Sequence, residues 1–391
     1  MKKLFIVSIL TYLLFTINSG SVNQNLSKSD SDNRKMLKVG VLLPLSGEFE
    51  NIGHSFLRAI QLALYDIPNK NIKIYLKDNK SNSIDTYKAA KEFEKLGIKI
   101  VIGPIFYESL EKLNEINNIT FISFTNKTKN IPKNVISFGI DIKSQLESIK
   151  NYLNEIKVTK TILLSPKTKF INQTEIIENS SLKFDRVFFY DTSPKKITNE
   201  IEQLTSYKER QRDLERRVEI LKKSDLYKDK QELKKLEQKH TLGKVNFDSV
   251  LVIDFGERLK SVLTSFMFSD VSNKTINFFT LNQWFDKSLF GENATQNLHF
   301  PSIDLANLKK FEKKYLDAYN KKPNKVSILA YDALGLVYYC WLKNNFDFKS
   351  NQLYNKNGFK GLHGEFTIKG NSSLHKLKIY KVSKKKFLKV Y

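Results

Sequence analysis

KVGVLLPLSGEFENIGHSFLRAIQLALYD, residues Lys38 to Asp66, is the stretch whose reading decides the fold. Lys38 to Leu43 is a short run of Val and Leu, too brief for a helix and bounded by Pro44, Ser46 and Gly47, so it reads as a buried strand. Past the polar loop ending near Gly53, apolar residues recur at Phe56, Leu57, Ile60, Leu64 and Ile67, a spacing that sets them on one helical face. Strand, loop and helix form the first half of a βαβ unit. The loop lies at the carboxyl end of the strand, where open parallel sheets place their ligands.

Working outward, the same alternation repeats. Ile72 to Lys77 reads as a strand, and Ser83 caps a helix that runs through Ala89, Ala90, Phe93 and Leu96 to a stop at Gly97. Ile100 to Ile102 is a buried strand ending in Gly103-Pro104. Tyr107 to Ile116 reads as helix, Thr120 to Phe124 and Val135 to Phe138 as strands, and Ile142 to Ile156 as helix. A strand at Thr161 to Leu164, a helix near Asn172 to Leu182 and a strand at Val187 to Tyr190 follow. Such alternation predicts parallel sheets covered on both faces, an α/β fold.

Between about Ile197 and Lys239 the pattern breaks into dense charge of both signs, with Leu214, Val218, Leu221, Leu233 and Leu236 keeping a narrow apolar stripe. Ser224-Asp225 interrupts it. The segment reads as a long helix or a helical hairpin protruding from a second lobe, with the insertion proper at 205–240. Its helices either pack only on each other or serve as a docking arm for a partner protein. After Gly243 the α/β pattern resumes: strands at Val250 to Ile253 and Ile276 to Thr280, helices at Leu259 to Phe266, Leu305 to Tyr319 and Val326 to about Leu342. Gly364 to Ile368 and Leu377 to Val382 then alternate strictly, so the chain is expected to finish in antiparallel strands.

A chain of 391 residues suits two lobes, and its 41% hydrophobic content is that of a globular protein. The formal charge of +24 is spread along the chain, which fits a solvated Lys-rich surface or an anionic wall or membrane partner better than nucleic acid. Residues 1–21 read as an export signal: Lys2 and Lys3, an apolar run from Leu4 to Ile17, then Ser19-Gly20-Ser21. Cleavage there gives a periplasmic protein without a membrane span; retention gives an N-terminal anchor. Residues 22–36 read as a flexible leader. The one cysteine, Cys340, lies far from the signal, so no cysteine stands there to carry a lipid, and beside Tyr339 and Trp341 it reads as a buried structural thiol.

Catalytic and cofactor motifs are missing from the sequence: no Gly-rich phosphate loop, no HExxH and no GxSxG. His54, His240, His299, His363 and His375 are scattered without metal-ligand spacing. The expectation is a protein that is not an enzyme and carries neither cofactor nor metal.

LPLSG within Leu43 to Ala63, KDNKSN at Lys77 to Asn82, VIGP at Val101 to Pro104, ISFTN at Ile122 to Asn126 and AYDAL at Ala330 to Leu334 occur in register. Together they resemble the type I periplasmic binding proteins of the leucine/isoleucine/valine-binding group, from about Leu37 onward. The charged insertion, FGERLKSV at Phe255 to Val262 and the terminal GLHGEFTIKGNSSLHKLKIYKV look most like penicillin-binding-protein activators, envelope proteins that stimulate a peptidoglycan synthase. The resemblance implies two lobes joined by three hinge strands: 37–139 with 302–350, and 140–301 with 351–391. It implies cleft contacts from Ser46, Tyr107, Ser109, Ser123 and Thr125, with Asn282 and Tyr331 completing the set. Hydroxyls and helix amides there suit a ligand carboxylate, and each hydroxyl is equally well read as a cap or turn residue.

One departure stands out. Amino-acid binders of this group place an acidic residue in the second lobe for the ligand's ammonium, and the matching loop, Leu281-Asn282-Gln283-Trp284, offers amides and an indole. Asp254 and Asp286 are the nearby substitutes. The resemblance therefore leads to two expectations: an envelope regulator that engages a peptidoglycan synthase, or a solute-binding protein that delivers a small polar ligand to an ABC permease.

Overall fold

The structure, a computed structural model, describes residues 36–68, 71–168, 181–281 and 284–391. Strand β1 (Leu37–Leu43) shows why its sequence is almost continuously apolar. Val39, Val41 and Leu43 face helix α1 (Glu50–Asp66), while Leu42 faces Ala89, Ala90 and Phe93 of α2 (Ser83–Lys95). A strand covered on both faces has no solvent side on which to place polar residues. It pairs in parallel with β2 (Ile72–Asp78) and β3 (Ile100–Ile102), and β4 (Thr120–Ser123) and β5 (Val135–Ser137) extend the sheet. Beyond β5 lie β13 (Ser372–Lys376), β12 (Glu365–Lys369) and β11 (Phe359–Lys360). Helices α8 (Leu305–Tyr319) and α9 (Ile328–Lys343) pack on the α1 side.

The second sheet runs β15 (Lys386–Lys389), β14 (Lys378–Ser383), β10 (His299–Ser302), β9 (Asn277–Thr280), β8 (Ser249–Val252), β6 (Thr161–Pro166), β7 (Arg186–Tyr190). Leu163, Leu251 and Phe279 face α3 (Ile142–Glu155); Ile162, Val250 and Val252 face α4 (Pro194–Leu204) and α7 (Gly256–Phe268). The result is an α/β protein of two lobes, each a mostly parallel sheet between helices. The chain passes from one lobe to the other at Phe138–Asp141, at Ile303–Asp304 and at Leu377.

That last passage corrects the expected exchange. Sequence reading returned the chain to the second lobe at residue 351, yet β11, β12 and β13 are hydrogen-bonded into the first sheet through Ser372 against Ser137. The two alternating strands near the end, β12 and β14, consequently lie in different sheets and do not pair with each other. Tyr107 to Ile116 is not a continuous helix but two short 3₁₀ turns, Tyr107–Leu110 and Leu113–Glu115. Its apolar residues Leu110, Leu113 and Ile116 recur every third position, the 3₁₀ repeat and not the α repeat. The cap of α2 is Asn82, whose side chain accepts from Asp85 N, and not Ser83. Cys340 is buried in α9, and that burial pushes its thiol up to about 12. The expected export signal, most of the leader and the helix near Asn172 fall outside the described residues.

Candidate functional site

The loops after β1, β3 and β4 meet at the carboxyl edge of the first sheet. Gly53 lets them close: a Cβ there would stand 1.7 Å from the carbonyl oxygen of Pro44, so α1 starts directly against the loop that feeds it. Gly103 has the same use one strand over, where a Cβ would lie 2.0 Å from Leu42 O at a φ of +105°. Phe49 and Phe106 then bring the first and third loops into contact, with ring centroids 4.6 Å apart.

Within this edge the expected contact residues have different fates. Ser46 is exposed, and its hydroxyl donates to Asp78 Oδ2 at 2.5 Å. Asp78 also accepts from the amides of Leu45 and Lys80; burial opposes its ionisation, yet these bonds hold it below the usual carboxylate range. Ser123 is fully buried and donates to Pro104 O at 2.9 Å, and Ser109 is buried against Asn79. Both hydroxyls tie loops together. Thr125 accepts from Lys127 N at 3.2 Å. Tyr107 donates to Asn130 O, and the Lys127 ammonium sits 4.4 Å from its ring centroid. Tyr107 and Lys127 line a cavity of about 900 Å³ with Glu111, Asn114 and Asn134.

Tyr331 does not join them. Its hydroxyl bonds Asp66, which also holds Lys314, at the far end of α1. A helix of 17 residues is roughly 25 Å long, so Tyr331 stands that far from the Ser46 loop. Asn282 lies outside the described residues.

At the carboxyl edge of the second sheet, the described residues include one buried carboxylate that is paired within the protein. Asp254, just past β8 and without solvent exposure, accepts from Tyr190 Oη at 2.6 Å, from Phe255 N at 2.8 Å and from Arg258 at 3.0 Å. Asp254 in turn holds the half-exposed Arg258 guanidinium above its usual pKa. Asp286 caps its own turn, accepting from the amide and hydroxyl of Ser288, both at 2.9 Å. Of the two carboxylates that sequence reading offered to a ligand ammonium, buried Asp254 is therefore committed within the protein, whereas Asp286 stays exposed beside its own turn.

The charged insertion is a hairpin of α5 (Tyr207–Lys222) and α6 (Tyr227–Leu236). Leu214, Leu221 and Leu236 form a small core of their own, with Val218, Leu233 and Leu242 against it. Arg217 grips both carboxylate oxygens of Glu232 at 2.9 Å across the pair. At the base, buried Arg210 donates to Thr205 O, Thr241 Oγ1 and Ser269 O at 2.9, 2.9 and 2.5 Å. The tip presents Ile220, Leu226 and Tyr227, which are 60, 67 and 78% exposed.

Neither the Asp254 closure nor the Arg210 anchor was picked out in the sequence. The partners that set their burial, Tyr190 for Asp254 and Thr241 and Ser269 for Arg210, lie tens of residues away, and only the placement of Asp254 just past an apolar strand hinted at the first. Among the described residues, no group of three His, Cys, Asp or Glu is arranged to hold a metal, and no helix is long and apolar enough to cross a membrane.

The chain matches no family model, and no curated protein resembles it in sequence. Solved structures do resemble it. The C-domain of LpoA (YraM) from Haemophilus influenzae, a regulator of PBP1A, superposes with a TM-score of 0.62 at 14% identity, covering 90% of this chain and all of that domain. Against full-length LpoA from the same organism the chain spans 59% of the length. A putative branched-chain amino acid ABC transporter protein from Rhodospirillum rubrum gives a TM-score of 0.68 at 12% identity, over 91% of this chain and 100% of that one. The chain has the two-lobed type I periplasmic-binding-protein fold, shared by regulators and solute binders alike.

Proposed function

We propose that this chain is a non-enzymatic envelope module that engages a peptidoglycan synthase, and that it acts by binding a protein and not by capturing an amino acid. The observation that carries the reading is the state of Asp254. A free amino acid needs an anion for its ammonium, and leaving that ammonium unpaired in a closed cleft costs several kcal/mol, enough to abolish micromolar binding. Asp254 already satisfies Arg258 and Tyr190, and Asp286 satisfies Ser288. The similarity to the C-domain of LpoA, a regulator of PBP1A, supports the same direction, as does a stapled hairpin with apolar residues at its tip. Periplasmic residence follows from this reading together with the signal-like start of the sequence.

The second reading is a solute-binding protein for an ABC permease. What favours it is the first sheet's carboxyl edge, where Ser46 and the loops after β3 and β4 converge, and the likeness to a transporter protein. Thermal-shift measurements against free amino acids and short peptides separate the two. A ligand at a hundred times its Kd stabilises by about 2.7 kcal/mol, which a melting curve resolves. The proposal predicts no shift with any free amino acid; a reproducible shift overturns it in favour of transport.

A further inference from the structure

Where the chain crosses between lobes, four buried side chains form one hydrogen-bond chain. Asp332 on α9 accepts from the amides of Leu362 and His363, each at 2.8 Å, and from His363 Nδ1 at 2.5 Å. His363 Nε2 lies 2.9 Å from His375 Nδ1, and His375 Nε2 lies 2.7 Å from Ser373 Oγ. Ser373 Oγ in turn reaches the carbonyl of Ser137 at 3.0 Å. Ser137 is the last residue of β5, immediately before the first crossing. The backbone around His375 is also held by α3 of the other lobe: His375 N donates to Ser144 Oγ and Leu377 N to Ser148 Oγ. The chain thus links α9, β13, two of the three crossings and α3.

Counting hydrogens along it gives a result that the separate bonds do not. Two partners of Asp332 are backbone N–H groups, and an ionised carboxylate only accepts, so the ring nitrogen of His363 that faces it, Nδ1, carries a hydrogen. The Ser137 carbonyl cannot donate, so when Ser373 bonds it the one hydroxyl hydrogen is used there. His375 must then donate from Nε2, which leaves Nδ1 as an acceptor and requires His363 to donate from Nε2 as well as from Nδ1. Every link is satisfied only when His363 carries both ring hydrogens, beside Asp332. With one proton fewer, His375 donates from Nδ1 to His363 and turns a lone pair toward Ser373. The serine hydrogen then goes to His375, and the Ser137 carbonyl loses it.

We propose that Asp332, His363, His375 and Ser373 form a one-proton latch on the interlobe hinge, closed with the extra proton and released without it. The surroundings suit such a device. Burial, and then His363, hold His375 well below the usual imidazole range, so His375 stays neutral and relays the proton's effect without taking the charge. Phe138 and Phe366 wall the two rings, and the carbonyls of Phe138 and Gly139 also stand against His375. From α3, Asp141 faces the same junction; burial raises its pKa, while its bonds to Ser144 and the charge of Lys143 oppose the rise. Lys376 and Glu365 pair with each other on the exposed side. The latch does not depend on which ligand or partner the protein takes.

Nitrogen NMR of the full chain, labelled at its five histidines, reads the ring tautomers directly. Over about pH 5 to about pH 9, the proposal expects His363 doubly protonated with His375 on Nε2 at the acid end. At the alkaline end both rings are neutral and His375 protonated on Nδ1. Amide exchange at Gly139, corrected for its intrinsic pH dependence, should quicken about tenfold across the same transition, the weight of one buried hydrogen bond. In Ser373→Ala the pH dependence of that exchange should vanish. His375 on Nδ1 at every pH overturns the latch. So does a tautomer switch that leaves Gly139 exchange unchanged, or a Ser373→Ala protein that keeps the wild-type dependence.

Discussion

The hairpin α5–α6 and the strand ends around Asp254 belong to the same lobe and handle charge in opposite ways. At the strand ends a carboxylate is buried and every acceptor position is filled from within the protein. On the hairpin the ionic groups are mostly solvated, and the element is held by one buried arginine at its base and a thin leucine seam. A buried carboxylate with its acceptor positions filled has little capacity left for a ligand, whereas a solvated helical surface with exposed apolar residues has more. Among the described residues of this lobe, the hairpin tip carries exposed apolar side chains at Ile220, Leu226 and Tyr227, and the strand end at Asp254 is filled from within.

The comparison breaks first at Arg210. Replacing it by Leu leaves Thr205 O, Ser269 O and Thr241 without their donor, and a loss of about 4 kcal/mol in unfolding free energy is expected, measurable by denaturant melting. If stability is unchanged, the hairpin is not anchored as described.

Acid should separate the two regions next. Burial pushes His299, in the second sheet, down to about 4. The unfolded chain takes up this proton near its ordinary value of about 6.5, so stability is full above that and falls as pH drops from about 6.5 to about 4. The loss attributable to this residue is about 3 kcal/mol. In His299→Phe that part of the pH dependence should disappear, while hairpin helicity, which rests on exposed pairs such as Arg217–Glu232, changes little over the same range.

Asp254→Asn gives a smaller effect, because Arg258 is half-exposed and regains water. About 2 kcal/mol is expected from the weakened bonds to Tyr190 and Arg258. Smallest is the tip: Ile220→Ser, Leu226→Ser and Tyr227→Ser should each alter stability by less than about 0.5 kcal/mol, yet together weaken partner binding.

Much of the fold was legible because its signals are local. The apolar run at Lys38 to Leu43 and the three-and-four spacing after Gly53 correspond to β1 and α1, and Leu305 to Tyr319 is α8 residue for residue. What escaped was non-local. Alternation marks Gly364 to Ile368 and Leu377 to Val382 as strands but cannot say that the sheets divide at Leu377, since the strand between them, β13, is placed by its pairing with Ser137. The candidate contacts are ambiguous in sequence for a related reason. A serine after a strand reads the same whether it lies exposed with its hydroxyl on a neighbouring loop, as at Ser46, or is buried and locks a loop, as at Ser123. The histidine chain was hidden by the distance between Asp332, His363 and His375, and by β13 itself, the strand whose period-two geometry sets Ser373 and His375 on one face, not having been read as a strand.

The central claim is tested most directly by calorimetric titration of the purified chain against a peptidoglycan synthase of its own cell, alongside a variant lacking 207–239. The account predicts saturable heat with the intact chain and none with the variant, whose remaining lobes still melt cooperatively. Equal binding by both would remove the hairpin from the account, and no binding by the intact chain would contradict the function proposed for it.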